Sequence, residues 1–184
     1  MITTDYFREL CSLLGETHCA NVTVDKFNEL INEGFPRDAL EFLAKYDGGL
    51  DDYIWLISPL HPDWQKMIEP IKQSYLSLQY HFETKILPKA NSSFISNGGY
   101  PFRLYPEENG LLPWAQCDNG TVFYWRINGG KWTILVYGES WDFWEFEMTT
   151  TEFLYKLITR QINYLDLDLP NDLFENGRII YFPR

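Results

Sequence analysis

The sequence is poor in the residues on which metal and disulfide chemistry depend. It contains 184 residues, of which only three are cysteines and three are histidines. Cys11, Cys19 and Cys117 are scattered and odd in number, which argues against a disulfide framework and favours a reducing compartment. The histidines are far apart and have no metal-ligand spacing, so we expect no metal site.

Motifs for nucleotide binding and for nucleophilic catalysis are missing too. No glycine-rich loop ends in Lys-Ser or Lys-Thr, no dinucleotide fingerprint occurs, and no serine stands in a nucleophile elbow. Cys117 falls in a predicted hairpin beside apolar residues, which favours a buried structural thiol over a nucleophile. We therefore expect no cofactor, and the one enzymatic alternative that the residues leave open is a carboxylate pair in an aromatic-lined cleft.

Long apolar runs are also absent. The first ten residues contain no basic stretch followed by an apolar core, so we expect no secretion signal. No run approaches the length that spans a bilayer. Together with the unpaired cysteines, these features predict a cytoplasmic protein without a membrane partner.

Basic residues are scarce relative to acidic ones. The chain contains 15 lysines and arginines against 26 aspartates and glutamates, which gives a net charge of −11. A surface of this charge repels nucleic acid and anionic membranes, and it attracts basic proteins. The alternative interpretation is that the acids only keep the protein in solution.

The acids concentrate in three stretches without lysine or arginine, namely 46–65, 104–125 and 132–155. They fall near predicted turns and among aromatic side chains, as expected of a surface that docks a basic protein. An ordinary solvated surface would show a similar pattern. The candidate partner-binding residues are Asp51, Asp52, Glu107, Glu108, Asp118, Glu139, Trp141, Asp142 and Glu145.

Aromatic and β-branched residues are abundant in the middle of the chain. Residues 111–137 predict two or three adjacent antiparallel strands. Asn119-Gly120 favours a two-residue type I′ turn, in which both central residues have positive φ. That turn would place Gln116 opposite Phe123 and Trp114 opposite Trp125.

The remaining elements follow from apolar periodicity. Helices are predicted over 4–14, 25–32, from about 36 to the glycine pair 48–49, over 63–85 with a break or kink at Pro70, and over 152–163. Strands are predicted over 53–57, 100–105, 143–147 and 178–182. We predict one α+β domain over residues 1–184, with N-terminal helices in 1–34 and a C-terminal tail at 164–184 as extensions.

Three segments resemble the SUKH superfamily of Smi/Knr-type proteins. The segment from Phe35 to Gly49 resembles the helix of that family which follows Leu-Pro and ends at Asn-Gly-Gly. Leu111 to Gly120 resembles the strand and turn that come next, and Thr151 to Leu154 resembles the closing helix. The segments occur in the order of the family and span residues 35–162.

The resemblance implies a non-enzymatic α+β domain with a mostly antiparallel, twisted sheet flanked by helices. Bacterial members are commonly cytoplasmic immunity proteins of polymorphic toxin systems, and each binds a cognate toxin, often a nuclease. Fungal members act as interaction hubs in cell-wall regulation. The acidity of this chain agrees with the first role, because a nuclease must be basic enough to hold a phosphate backbone.

Three functions remain open from the sequence. The first is neutralisation of a basic toxin domain by binding, and the second is a regulatory interaction module without a toxin partner. The third is a carbohydrate-binding or carbohydrate-active protein, in which carboxylates flank a glycosidic bond in a tryptophan-lined cleft. The candidates for that cleft are Trp114, Trp125, Trp141 and Trp144 with Asp118, Glu139, Asp142 or Glu145.

Overall fold

The computed structural model describes residues 5–15, 23–83, 102–107, 110–128, 130–138, 143–175 and 181–183. Within these residues the helices are α1 (Tyr6–Leu14), α2 (Val24–Asn32), α3 (Arg37–Lys45), α4 (Trp64–Glu83) and α5 (Thr150–Ile158). The strands are β1 (Gly48–Leu50), β2 (Ile54–Leu56), β3 (Arg103–Leu104), β4 (Gly110–Cys117), β5 (Val122–Asn128), β6 (Lys131–Tyr137), β7 (Phe143–Phe146) and β8 (Tyr181–Pro183). A 3₁₀ turn forms at Leu165–Leu167.

The strands form one eight-stranded sheet with the order β7-β6-β5-β4-β2-β1-β8. Neighbouring strands in this order are antiparallel, whereas the short β3 pairs with the start of β4 in parallel. Helices lie on both sides of the sheet. The predicted α+β fold with a mostly antiparallel sheet flanked by helices is therefore confirmed.

One face of the sheet packs against α5. Trp114, Phe123 and Trp125 are fully buried there, with the two indole rings stacked at 5.9 Å and the Phe153 ring 5.5 Å from Phe123. Trp125 Nε1 donates a 2.9 Å hydrogen bond to Thr150 Oγ1. The polar group of this buried indole is thus satisfied at the start of α5.

The opposite face of the sheet is covered by α4. Ile68, Ile71 and Tyr75 recur at helical spacing and are buried, and the Tyr75 ring lies 5.8 Å from that of Tyr124. Of the predicted break or kink at Pro70, the break is wrong, since α4 continues through the proline. Proline costs the helix one backbone hydrogen bond, and burial of this apolar side outweighs the loss.

The central hairpin has a different turn from the predicted one. Gly120 has a φ of 92°, but Asn119 lacks the positive φ that a type I′ turn requires. The amide of Gly120 donates to the carbonyl of Cys117 at 3.0 Å, and the loop has three residues with glycine in the left-handed region. Gln116 therefore pairs with Val122, and the predicted register is wrong by one residue.

A bulge brings the two central tryptophans together despite this register. The pairing of β4 with β5 shifts between Pro113 and Ala115, as happens when one strand carries an extra residue. Trp125 is paired with Leu112 rather than with Trp114. Because the bulge turns Trp114 toward the α5 side, the two indoles still share one face, as the sequence predicts.

The glycine pair 48–49 begins strand β1 and does not end a helix, contrary to the prediction. Helix α3 ends at Lys45, and Tyr46 follows in an extended conformation. Gly49 pairs with Trp55 on β2, and a β-carbon at position 49 would lie 2.7 Å from Trp55 Cζ3. The strand needs glycine there because the indole occupies the side-chain space.

Candidate functional site

Two acidic turns lie side by side at one end of the sheet. Asp51 and Asp52 form the β1–β2 turn, each with a φ of 53°, and Asp118 begins the β4–β5 turn. The amide of Asp118 donates to the carbonyl of Tyr53 at 3.1 Å. The Nε1 of Trp55 donates to Asp118 Oδ1 at 2.7 Å. These bonds hold the carboxylates of both turns on one edge of the molecule.

The segment 165–175 folds against these turns. Asn119 Nδ2 donates to the carbonyl of Asp168 at 2.7 Å, and the amide of Phe174 donates to Asp51 Oδ2 at 3.0 Å. The segment adds three further aspartates to the two turns. We term the combined surface the acidic edge, and its residues are Asp51, Asp52, Asp118, Asp166, Asp168 and Asp172.

Most carboxylates of the acidic edge face solvent. Arg160 lies close by, but its guanidinium donates to the carbonyls of Asn171 and Leu173 and packs over the Tyr164 ring. Exposed acids gathered on one surface create a negative potential that attracts positive surfaces. The exposed acids, none of which forms an ion pair within the described residues, are Asp52, Asp118, Asp166 and Asp172.

The sequence does not predict the contribution of segment 165–175, which falls within the predicted C-terminal tail at 164–184. A signal was present, because residues 161–175 contain four acids and no lysine or arginine. This is the same charge pattern that selected Asp51, Asp52 and Asp118. What the sequence did not supply was the docking of the segment onto the β4–β5 turn.

Glu107 does not join the acidic edge. Glu107 precedes β4, at the opposite end of that strand from Asp118, and it forms a 2.6 Å ion pair with Arg103. Four more candidates lie outside the described residues, namely Glu108, Glu139, Trp141 and Asp142.

Glu145 belongs to a largely buried ion pair on the sheet. Arg126 Nη1 donates to both of its carboxylate oxygens, at 2.8 and 2.9 Å, and Thr133 Oγ1 donates at 2.6 Å. The two charged side chains are each 14% exposed, and the guanidinium lies 4.8 Å from the centre of the Phe102 ring. The carboxylate of Glu145 is thus engaged within the fold.

Two of the four tryptophans predicted to line a sugar-binding cleft do not reach the surface. Trp114 and Trp125 are fully buried, so their assignment to a sugar-stacking surface is wrong. They stack on each other between the sheet and α5 because their apolar area stabilises the core. Trp144 is half-buried, and its strand lies at the edge of the sheet.

A cleft of about 550 Å³ lies between the starts of α3 and α5 and the beginning of β6. Asp38, one of the carboxylates that line it, accepts hydrogen bonds from the amide and the hydroxyl of Thr151 at 2.9 and 3.1 Å. These are the bonds that cap the first turn of a helix. The carboxylate therefore stabilises α5 and packs it against α3.

Cys117 is buried, as the sequence predicts. Burial raises the pKa of its thiol, which keeps the group protonated and unreactive. Among the described residues, no cluster of histidine, cysteine, aspartate or glutamate side chains could hold a metal ion. None of the described helices is long and apolar enough to cross a membrane.

Comparisons with protein-family models, with curated proteins and with solved structures return no match for this chain.

Proposed function

We propose that this protein is a cytoplasmic, non-catalytic binding protein that neutralises a basic toxin domain. The observation that carries the proposal is the acidic edge, where three segments of the chain bring six carboxylates together. Its four exposed acids have no cationic partner in the described part of the structure. The resemblance of residues 35–162 to the SUKH superfamily supports the same function.

The proposed mechanism is occlusion of the surface on which the toxin holds its substrate. A domain that binds a phosphate backbone carries clustered lysine and arginine side chains. The acidic edge attracts such a surface, so charge sets the rate of encounter while buried contacts set the lifetime of the complex. The inhibitor itself needs no reactive group.

The acidic edge suits this role because its backbone is already ordered. The β4–β5 turn is tied to the β1–β2 turn through the Asp118 amide and to segment 165–175 through the Asn119 side chain. The Asp51 carboxylate accepts a hydrogen bond from the Phe174 amide, which ties the β1–β2 turn to segment 165–175. Binding to such a surface loses little conformational entropy.

Co-expression with a candidate toxin tests the proposal. The untagged protein is produced with the tagged C-terminal domain encoded by a neighbouring large open reading frame. We expect a one-to-one complex and loss of toxicity. Formation of a complex without loss of toxicity would instead favour a regulatory interaction module.

Two charge variants make the test specific. The edge variant converts the four exposed acids of the acidic edge to amides, and we expect it to protect poorly. The control variant makes the same change in net charge with exposed acids elsewhere, namely Glu9, Asp25, Glu29 and Glu69. Equal protection by both variants would remove the acidic edge from the mechanism.

A further inference from the structure

A second cleft, of about 430 Å³, opens beside the acidic edge between α4 and the sheet. Trp55 and Asp118 form its border with the acidic edge, and Ile57, Met67 and Ile71 are apolar members of its lining. Met67 and Ile71 are one helical turn apart on α4, so they present a continuous apolar wall. The cleft therefore combines an aromatic ring, a carboxylate and an aliphatic surface.

The ring and the carboxylate are fixed relative to each other. Trp55 lies over Gly49 on the neighbouring strand, which leaves no room for a side chain on that side of the ring. Its Nε1 donates to Asp118 Oδ1 at 2.7 Å. A preorganised pair of this kind needs no rearrangement to receive a ligand.

The only charged residue among the described residues that line the cleft is acidic, namely Asp118. No lysine or arginine is among the residues that line it, and the Asp118 side chain is exposed. Each carboxylate oxygen accepts more than one hydrogen bond, so the bond from Trp55 leaves acceptor capacity for a ligand. The complementary ligand is a cation with an aliphatic stem.

We infer that this Trp55–Asp118 cleft is the anchor pocket for one arginine side chain of the basic partner. This inference rests on the proposed function and identifies the side chain that the acidic edge recognises. A guanidinium stacks on an indole and bonds a carboxylate through its planar fork of N–H groups. The methylene stem packs against Met67 and Ile71, as long charged side chains do when they cover apolar surface.

The test is an NMR titration that follows the indole N–H resonance of Trp55, which is assigned by its loss in Trp55→Phe. The probes are two capped tripeptides, glycine-arginine-glycine and the same peptide with neutral citrulline. We expect the arginine peptide to shift the resonance with a dissociation constant on the order of 1 mM. The citrulline peptide should bind roughly five-fold more weakly or worse.

Two variants separate the pocket from general attraction to an acidic protein. Asp118→Asn removes the charge and keeps an oxygen acceptor for the indole, so the arginine peptide should bind roughly five- to ten-fold more weakly. Glu29→Gln removes one exposed charge outside the cleft and should leave binding unchanged. If Asp118→Asn does not fold, Met67→Lys places a cation in the cleft and should abolish the shift.

Equal shifts of the Trp55 resonance by the two peptides would overturn the assignment of the cleft as an arginine pocket. Unchanged affinity for the arginine peptide in both Asp118→Asn and Met67→Lys would overturn it too. The proposed function survives that result if co-expression still neutralises a basic domain. In the converse result, the cleft binds arginine but the protein neutralises no basic domain. That result would contradict the proposed function and support the arginine pocket.

Discussion

Gly49 lies directly beneath the indole of Trp55, and a β-carbon on Gly49 would be 2.7 Å from Trp55 Cζ3. The two residues are cross-strand partners on β1 and β2. The absence of a side chain on one strand therefore determines where the indole lies on the next. That position places the Trp55 Nε1 within hydrogen-bond distance of Asp118 at the acidic edge.

Gly49→Ala should destabilise the protein and displace the indole. The added methyl group cannot be accommodated without moving the ring, and overpacking of this kind costs roughly 1–3 kcal/mol. Urea unfolding measures the loss, and the Trp55 indole resonance reports the displacement. In a Trp55→Val background the same substitution should cost much less, because the clash is gone. Equal costs in both backgrounds would contradict the account.

Glu145→Gln should lower stability more than loss of an exposed ion pair does. The carboxylate accepts from Arg126 and Thr133 in a site where each charged side chain is 14% exposed. Leaving the guanidinium uncompensated costs roughly 1–3 kcal/mol in such partly buried surroundings.

The matched control for Glu145 is Glu107→Gln. Its ion pair with Arg103 is more than half exposed on both sides, and such pairs contribute below about 1 kcal/mol. Chemical denaturation of the two variants compares them directly. A smaller loss for Glu145→Gln than for Glu107→Gln would show that the largely buried pair does not stabilise the sheet.

Tyr137→Phe should flatten the loss of stability at alkaline pH. Burial raises the pKa of Tyr137 to about 12, against about 10 for an unfolded tyrosine. Between these values the folded state keeps a proton that the unfolded state has lost. The contribution is therefore complete below about pH 10 and falls as the pH rises toward 12.

The phenylalanine variant cannot lose a proton at this position, so its free energy of unfolding should fall less steeply across that window, by roughly 2 kcal/mol. At neutral pH we expect little cost, because the hydroxyl has no hydrogen-bond partner among the described residues. Urea titrations at a series of pH values measure both effects. Identical pH slopes for the two proteins would contradict this explanation.

Asn119→Ala should loosen segment 165–175. The side chain accepts from the Thr121 amide at 3.1 Å and donates to the Asp168 carbonyl at 2.7 Å, and loss of both bonds costs roughly 1–2 kcal/mol. Hydrogen exchange should quicken in the segment. Asn28→Ala, at an exposed position of α2, should leave exchange there unchanged, and equal exchange in both variants would exclude this anchoring role.

The sequence predicts those features of the fold that local patterns determine. The apolar periodicity of α1 and α2 gives their positions within two residues, because each helix has one buried side. The predicted type I′ turn at Asn119 is wrong. The side chain of Asn119 bonds both the Thr121 amide and the Asp168 carbonyl, and no local pattern reveals the second partner, 49 residues away.

The candidate site likewise contains residues that local patterns predict and residues that only long-range contacts bring together. Asp51, Asp52 and Asp118 were selected by local charge pattern, and the structure places them together. Asp166 and Asp172 carried the same pattern but join the acidic edge only through long-range contacts. The partner of Glu145 follows from the register of β5, β6 and β7, which an isolated sequence does not specify.

Association kinetics test the proposed docking of a basic protein on the acidic edge. Each protein is mixed by stopped flow with a basic toxin domain that the unmodified protein neutralises in co-expression. The association rates of the unmodified protein, the edge variant and the control variant are compared over a range of salt concentrations. We expect the edge variant to associate about ten-fold more slowly at low salt, with a weaker salt dependence. The control variant should stay within about two-fold of the unmodified protein. Equal slowing of the two variants would show that net charge alone, and not the acidic edge, directs the encounter.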